Sequence, residues 1–318
     1  MAEQTFFLHQ HINDFDEFCS NARHWDMEYH QLEAGQFSSE LLMFGGASTL
    51  FSRAQLHRGM IQRGSSPQGL ITFGLLANPK INMHWRNIDI SGDMLFIFPP
   101  GGELHGITQS DFDVFAISLS EKKLNQLCAA HELPEFNVLQ NKNEVFRCHS
   151  AKLAALRKYL LSIEQALLTG TGATRSFHYL EQIEQEIAAN IVGLIAESYQ
   201  PINRKPLRKR DNALKLAESY IFESDGAVVT IPELCIAAHA SQRTLEYAFR
   251  ERYDCTPKAY TLIYRLNNAH KQLRHAEPGI TQISDIAQQH GFWHMGQFCA
   301  DYKKLFAMLP SETLKRKI

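Results

Sequence analysis

Residues 231–249, IPELCIAAHASQRTLEYAF, and residues 283–302, ISDIAQQHGFWHMGQFCADY, are two versions of one pattern. Ile231, Leu234 and Cys235 recur 52 residues later as Ile283, Ile286 and Ala287. Leu245 and Phe249 recur 53 residues later as Phe298 and Tyr302, so one residue is inserted within the second copy. Each copy has the form of a helix-turn-helix. A short first helix buries Leu234 or Ile286, and a tight turn follows at His239-Ala240 or His290-Gly291. The pairs Leu245/Phe249 and Phe298/Tyr302, spaced i,i+4, anchor one face of the second helix. The opposite face is then free to enter a major groove. Ser241 stands where an N-cap belongs, and Pro232 suits a first helical turn.

Between the copies, Pro257 to Leu273 fits one continuous helix. At 1.5 Å per residue it spans about 25 Å. That length can hold two reading heads near the roughly 34 Å between successive major grooves on one face of B-DNA. The surrounding charge agrees. From Arg204 to the end there are 18 Lys and Arg against 12 Asp and Glu, whereas residues 1–203 carry 14 against 22. An acidic half joined to a basic half predicts that only the second meets a polyanion.

Several motifs in this half resemble the signature of AraC/XylS-type transcription regulators. They are Ser241-Gln-Arg-Thr-Leu245-x3-Phe249, Pro257-x2-Tyr260, Arg265-Leu266-x2-Ala269-x3-Leu273, Ile286-Ala287-x3-Gly291-Phe292, Phe298-x3-Tyr302-Lys303-x2-Phe306 and Pro310-Ser311. The run from Gly291 to Leu314 looks closest to the subgroup containing the ethanolamine-utilisation operon regulator. Trp25, Gln31-Leu32-x-Ala-Gly35-x-Phe37 and Gly101-Gly102-Glu103 extend that likeness loosely to the first half. The resemblance implies an effector-sensing, often dimerising, domain ahead of a DNA-binding domain. It also implies promoter DNA and RNA polymerase as partners, activation as the usual outcome, and no cofactor or catalytic activity.

Carried onto this chain, the first reading helix presents Ser241, Gln242, Arg243, Thr244 and Tyr247, and the second Trp293, His294, Met295, Gly296 and Gln297. Arg243 suits guanine O6 and N7, and Gln242 suits adenine. Ser241 suits a phosphate. Gln297 is the base-edge candidate of the second helix and His294 its phosphate donor. Trp293 and Met295 suit thymine methyls, and Trp293 equally suits packing beside Phe292. Leu245, Phe249, Phe292, Phe298 and Phe306 are assigned to the core. The chain departs from the family in carrying Ala307 where a glycine is usual, and Tyr247 and Ala300 where basic residues are usual.

The first 200 residues read as α+β. In 29–119, short apolar runs such as Leu70-Ile71-Thr72-Phe73 and Met94 to Phe98 are broken by Gly, Pro and Asn, which predicts a cupin-like β-barrel or a sandwich. Residues 120–200 read as helical, Ser120 being an N-cap. The stripe Ile183, Ile187, Ile191, Leu194 and Ile195 is too wide to leave exposed, and packs either on the sheet or on a second copy, a homodimer contact within 150–200. Residues 201–210, PINRKPLRKR, read as a basic linker, and 211–318 as the all-helical DNA-binding domain.

The rival class is an enzyme. Gly92-x6-Pro99-Pro100-Gly101-x3-His105 resembles half of a cupin metal motif, but His57 and His84 stand singly on the strands before it. No metal is therefore expected, and His105 is at most an effector-pocket residue. His290 and His294 straddle the turn at Gly291 and are not read as a metal pair. Gly59-x4-Gly64-Ser65 lacks the lysine of a phosphate loop. No apolar run reaches the ~18 residues of a membrane span. Six scattered cysteines and a non-basic start, Met1-Ala2-Glu3-Gln4, predict a reduced protein of the cytoplasm without a secretory leader.

Overall fold

A computed structural model describes residues 5–22, 24–85, 88–98, 100–137, 144–170, 172–197, 200–201 and 208–316. The chain forms two compact units. One comprises Met1–Tyr29 and Ser38–Arg204; the other comprises His30–Phe37 and Lys205–Ile318.

The first unit is built on two antiparallel sheets. The larger has the strand order β1 (Phe6–Ile12), β3 (Ser39–Gly45), β4 (Thr49–Leu56), β11 (Phe112–Ser120), β6 (Leu70–Leu76), β9 (Met94–Phe98), β12 (Val145–Arg147) and β13 (Gln200–Pro201). The smaller runs β2 (Asp26–Gln31), β5 (Met60–Ser65), β10 (Glu103–Thr108), β7 (Met83–Trp85) and β8 (Ile88–Ile90). Neither sheet closes on itself among the described residues, so the expected barrel gives way to two facing open sheets. One edge is β13, where Pro201 has no backbone N–H to offer a further strand. The strands β1, β12 and β13 also lie outside the predicted β-region, β12 inside the stretch read as helical and β13 across its boundary with the linker.

Both faces of the larger sheet are covered, and the period-two rule sorts its side chains. A short helix α1 (Phe15–Asn21) follows β1. Phe115, Ile117 and Leu119 on β11, Ile71, Phe73 and Leu75 on β6, and Leu95 and Ile97 on β9 join a core with α2 (Glu121–Ala130), α3 (Ser150–Thr169) and α4 (Phe177–Glu197). The intervening residues turn toward the smaller sheet. Ile183, Ile187, Ile191, Leu194 and Ile195 of α4 are buried in this core. The stripe proposed for a dimer contact is thus already covered within one chain.

Ion pairs fasten helices to sheet. Arg53 on β4 donates to both carboxylate oxygens of Asp113 on β11, at 2.9 and 2.7 Å, and to Glu164 on α3 at 2.5 Å. Burial opposes the Arg53 charge, yet the hydrogen bonds and attraction of the two acids hold its pKa above the usual arginine value. Burial pushes the Glu164 carboxyl up, against the pull of Arg53.

The second unit is helical. Its elements are α5 (Lys209–Glu223), α6 (Ile231–Ala237), α7 (Gln242–Tyr253), α8 (Pro257–His275), α9 (Ile283–Gln289), α10 (Met295–Phe306) and α11 (Pro310–Lys315). Leu234, Leu245, Phe249 and Tyr260 form the core of the first head; Ile286, Phe298, Tyr302 and Phe306 form that of the second. All five residues assigned to this core from sequence are buried. The segment 30–37 packs among these helices. The His30 ring stacks on Tyr264 with centroids 4.9 Å apart. The Gln31 backbone N–H donates to Asn267 Oδ1 at 2.7 Å, and Asn267 Nδ2 returns a bond to the Gln31 carbonyl at 3.0 Å. Gln31 Nε2 and the Gly35 N–H both donate to the Leu305 carbonyl on α10, each at 2.9 Å.

Candidate functional site

The two heads repeat in backbone conformation as well as in core positions. The first opens with a reciprocal cap: the Thr230 N–H donates to Glu233 Oε2 at 2.8 Å, and the Glu233 N–H donates to Thr230 Oγ1 at 3.4 Å. In its turn His239 is left-handed at φ 49°, and the equivalent Gly291 has φ 73°. Ser241 caps α7, accepting from the Thr244 N–H at 3.2 Å, as the sequence predicts. The C-caps also correspond, with Asp254 at φ 52° and Ala307 at φ 56°. Ala307 therefore occupies a conformation that its Cβ disfavours. Ala307→Gly is expected to stabilise the domain by about 0.5–1 kcal/mol, read as a raised denaturation midpoint; an unchanged or lowered midpoint counts against this assignment.

The outward faces differ where the cores agree. On α7 the stripe is Arg243, Tyr247 and Arg250; 53 residues on, α10 presents Gly296, Ala300 and Lys303. All six are exposed. The first helix thus offers long side chains, whereas the second offers almost bare backbone ahead of Lys303. Lys303 matches Arg250 in the repeat.

The guanidinium of Arg243 lies 5.7 Å from the centre of the Tyr247 ring, which holds it along the helix face. Gln242 and Gln297 are exposed but engaged one turn along. Gln242 Nε2 donates to Glu246 Oε1, and Gln297 Nε2 to Asp301 Oδ1, both at 2.9 Å. Thr244 and Met295 are half-buried, and His294 is the exposed N-cap residue of α10. Trp293 precedes the helix and is 73% exposed, so it does not pack away beside Phe292. Of the basic linker, residues 202–207, including Arg204 and Lys205, lie outside the described residues. Arg208 and Lys209 are exposed at the start of α5, and Arg210 pairs with Glu251 at 2.5 Å.

The first unit holds an apolar cavity of about 70 Å³ between its two sheets. Phe96, Phe98 and Phe112 line it from the larger sheet, Met27, Met83 and Leu104 from the smaller, and Trp25 from the loop before β2. Gly74 makes room for the Phe96 ring, since a Cβ there would sit 2.1 Å from that ring. His105 is not among the lining residues; its neighbour Leu104 is, and strand alternation turns His105 to the other side.

The histidines weighed as a metal site do not come together. His57 Nδ1 lies 3.1 Å from Asp111, and His84 Nδ1 2.8 Å from Asp89. Neither they nor His105 belong to any convergent group of three or more metal-capable side chains among the described residues. Within this unit such a group is His9, His11 and Glu40, from a His-x-His pair on β1 that the reading of residues 57–105 does not reach.

The helical unit thus carries twin helix-turn-helix heads on a spacer helix, each with an exposed second helix. Residues 234–316 match the family model described as "Helix-turn-helix domain". The chain is 31% identical over 102 residues to the "Probable thc operon regulatory protein" of Rhodococcus erythropolis, covering 32% of this chain and 31% of that protein. It is 25% identical over 130 residues to the "XylDLEGF operon transcriptional activator" of Pseudomonas putida, covering 41% and 40%. The match thus spans well under half the length of either relative. The crystal structure of the AraC-like transcriptional activator CuxR aligns with 83% of this chain and 96% of its own, at 14% identity and a TM-score of 0.45. Residues 234–316 of the helical unit thus form a helix-turn-helix domain, similar in this region to the two named operon regulators. No helix among the described residues is long and apolar enough to cross a membrane.

Proposed function

We propose that the protein is a transcription regulator, an activator by analogy with its named relatives, that binds promoter DNA through α7 and α10 under the control of a small effector. The observation that carries this reading is the repeated pair of heads, each with its apolar face buried and its opposite face exposed. Specific contact is assigned mainly to the first head, through Arg243, Gln242, Thr244 and Tyr247, with Ser241 on a phosphate. The second head, with Gly296 and Ala300 outward, approaches the duplex closely and contributes Trp293, His294, Met295 and Gln297 near its leading end. Bound there, the protein contacts RNA polymerase and acts in the cytoplasm. The effector occupies the cavity of the first unit. A homodimer would have to use the outer faces of α3 and α4, because the inner stripe is covered. The resemblance to the ethanolamine-operon subgroup rests on sequence motifs and carries no ligand by itself. The other class considered, a cupin-type metal enzyme, is disfavoured by the separation of His57, His84 and His105.

Selection of binding sites from random duplexes tests the assignment. Arg243→Ala is expected to lose a preferred guanine in one half of the selected site, with discrimination there falling about tenfold or more. Identical selections by the variant and the natural protein would remove α7 from the interface.

A further inference from the structure

The edge strand β1 carries the sequence His9-Gln10-His11. Side chains two apart on a strand share a face, so both imidazoles leave the sheet on one side. The register shows which side. His9 stands opposite Leu42 on β3, and His11 opposite Glu40. Leu42 belongs to the core beneath the helices, whereas Leu41 and Met43 line the cavity. The two histidines and Glu40 therefore lie on the face of the larger sheet turned away from the cavity. Glu40 reaches toward both rings. Its Oε1 is 2.7 Å from His9 Nε2, and its Oε2 is 4.0 Å from His11 Nδ1. The ring centres are 5.4 Å apart. A plain hydrogen-bonded ion pair accounts for His9 alone, since 4.0 Å is beyond hydrogen-bond reach. The carboxylate is itself braced. Gln55, its opposite on β4, can turn its amide to donate to Glu40 Oε2 at 3.0 Å while accepting from Arg53 Nη2 at 3.2 Å.

We propose that His9, His11 and Glu40 bind one divalent transition-metal ion, best matched by Zn²⁺, and that the ion clasps β1 to β3. One ligand atom from each residue lies within 4.8 Å of the other two. Donors on a shared tetrahedral zinc stand roughly 3.4 Å apart, given bond lengths of about 2.0–2.2 Å. A modest inward rotation closes the difference, and His11, whose side chain is 72% exposed, has the room to make it. The same exposure gives an ion its way in. Two imidazoles with one carboxylate suit zinc and its neighbours, whereas magnesium and calcium prefer oxygen ligands. Three protein ligands leave a fourth position for water. Gln55 would hold the carboxylate in place, as hydrogen-bonding partners of metal ligands do. The site is separate from the cavity, and its assignment rests on neither the effector nor the DNA reading.

Titration of Zn²⁺ into the full chain, free of any affinity tag and stripped with a chelator, tests this. One equivalent is expected to bind and to raise the melting temperature. It should also slow amide hydrogen exchange across Phe6–Ile12 by about tenfold or more. Excess Mg²⁺ should not compete. His11→Asn is the deciding variant. Because His11 is exposed, melting without metal should stay unchanged, while zinc affinity falls about tenfold or more. Glu40→Gln keeps the side-chain shape and should weaken zinc comparably. X-ray absorption at the zinc edge should show imidazole and oxygen ligands and no sulfur at about 2.3 Å. Absence of stoichiometric binding, undiminished affinity in His11→Asn, competition by Mg²⁺ or cysteine sulfur on the ion would overturn the proposal. So would zinc binding that leaves exchange along β1 untouched, since the ion would then not clasp that strand.

Discussion

Gly291→Ala should cost the second head about 2–4 kcal/mol, the sum of a left-handed backbone penalty and overpacking. The residue sits at φ 73°, and an added Cβ would come within 2.0 Å of Val228 Cγ2. Both effects act on the turn that fixes α10 against α9, so loss of DNA binding should accompany loss of stability. The two contributions separate in a double-mutant cycle. Val228→Ala removes the atom in the way and should restore the steric part while leaving the backbone part. If Gly291→Ala alone leaves the urea midpoint in place, the turn is not the one described. His239, at the corresponding place in the first head, already carries a side chain at φ 49° and faces no such obstruction among the contacts described.

Arg53→Ala should destabilise the first unit by about 3–5 kcal/mol, because it leaves Asp113 and Glu164 facing each other in a largely dry site without their shared cation. The loss should depend on pH. Burial already raises the Glu164 carboxyl, and removing Arg53 takes away the attraction that opposes that rise. An acid whose folded pKa lies above its unfolded value favours folding when protonated, and that contribution is lost as pH rises through the folded value. The deficit of the variant should therefore be largest at neutral pH and shrink toward pH 4, as measured by denaturant unfolding across that range. A deficit independent of pH would mean that Arg53 contributes by packing over Phe115, whose ring centre lies 5.4 Å away.

The second unit was largely legible in the sequence because its signals are local. Large apolar residues at a fixed offset, a serine cap before α7 and prolines in the first turns of α6 and α8 each act within a few residues. The first unit was less so. The strand β1 shows weak alternation, with six of its seven residues at least partly exposed, while β12 and β13 span three and two residues. None of these carries a periodicity long enough to recognise. The cavity was invisible for another reason. It exists because Ala54, Gly74 and Ala116 lie among large rings, a fact of strand register that no local pattern contains. Trp293 was read equally well as buried or exposed, since a residue just before a helix has no periodicity to place it.

The grouping of 30–37 with the helices changes what a useful fragment would be. A polypeptide starting at residue 204 lacks His30 and Gln31, and with them the ring against Tyr264 and both bonds to Asn267. The Leu305 carbonyl on α10 would lose the Gln31 and Gly35 donors together. Cutting the chain at its basic tether therefore yields an incomplete module, whereas adding the octapeptide in trans offers a direct way to complete it.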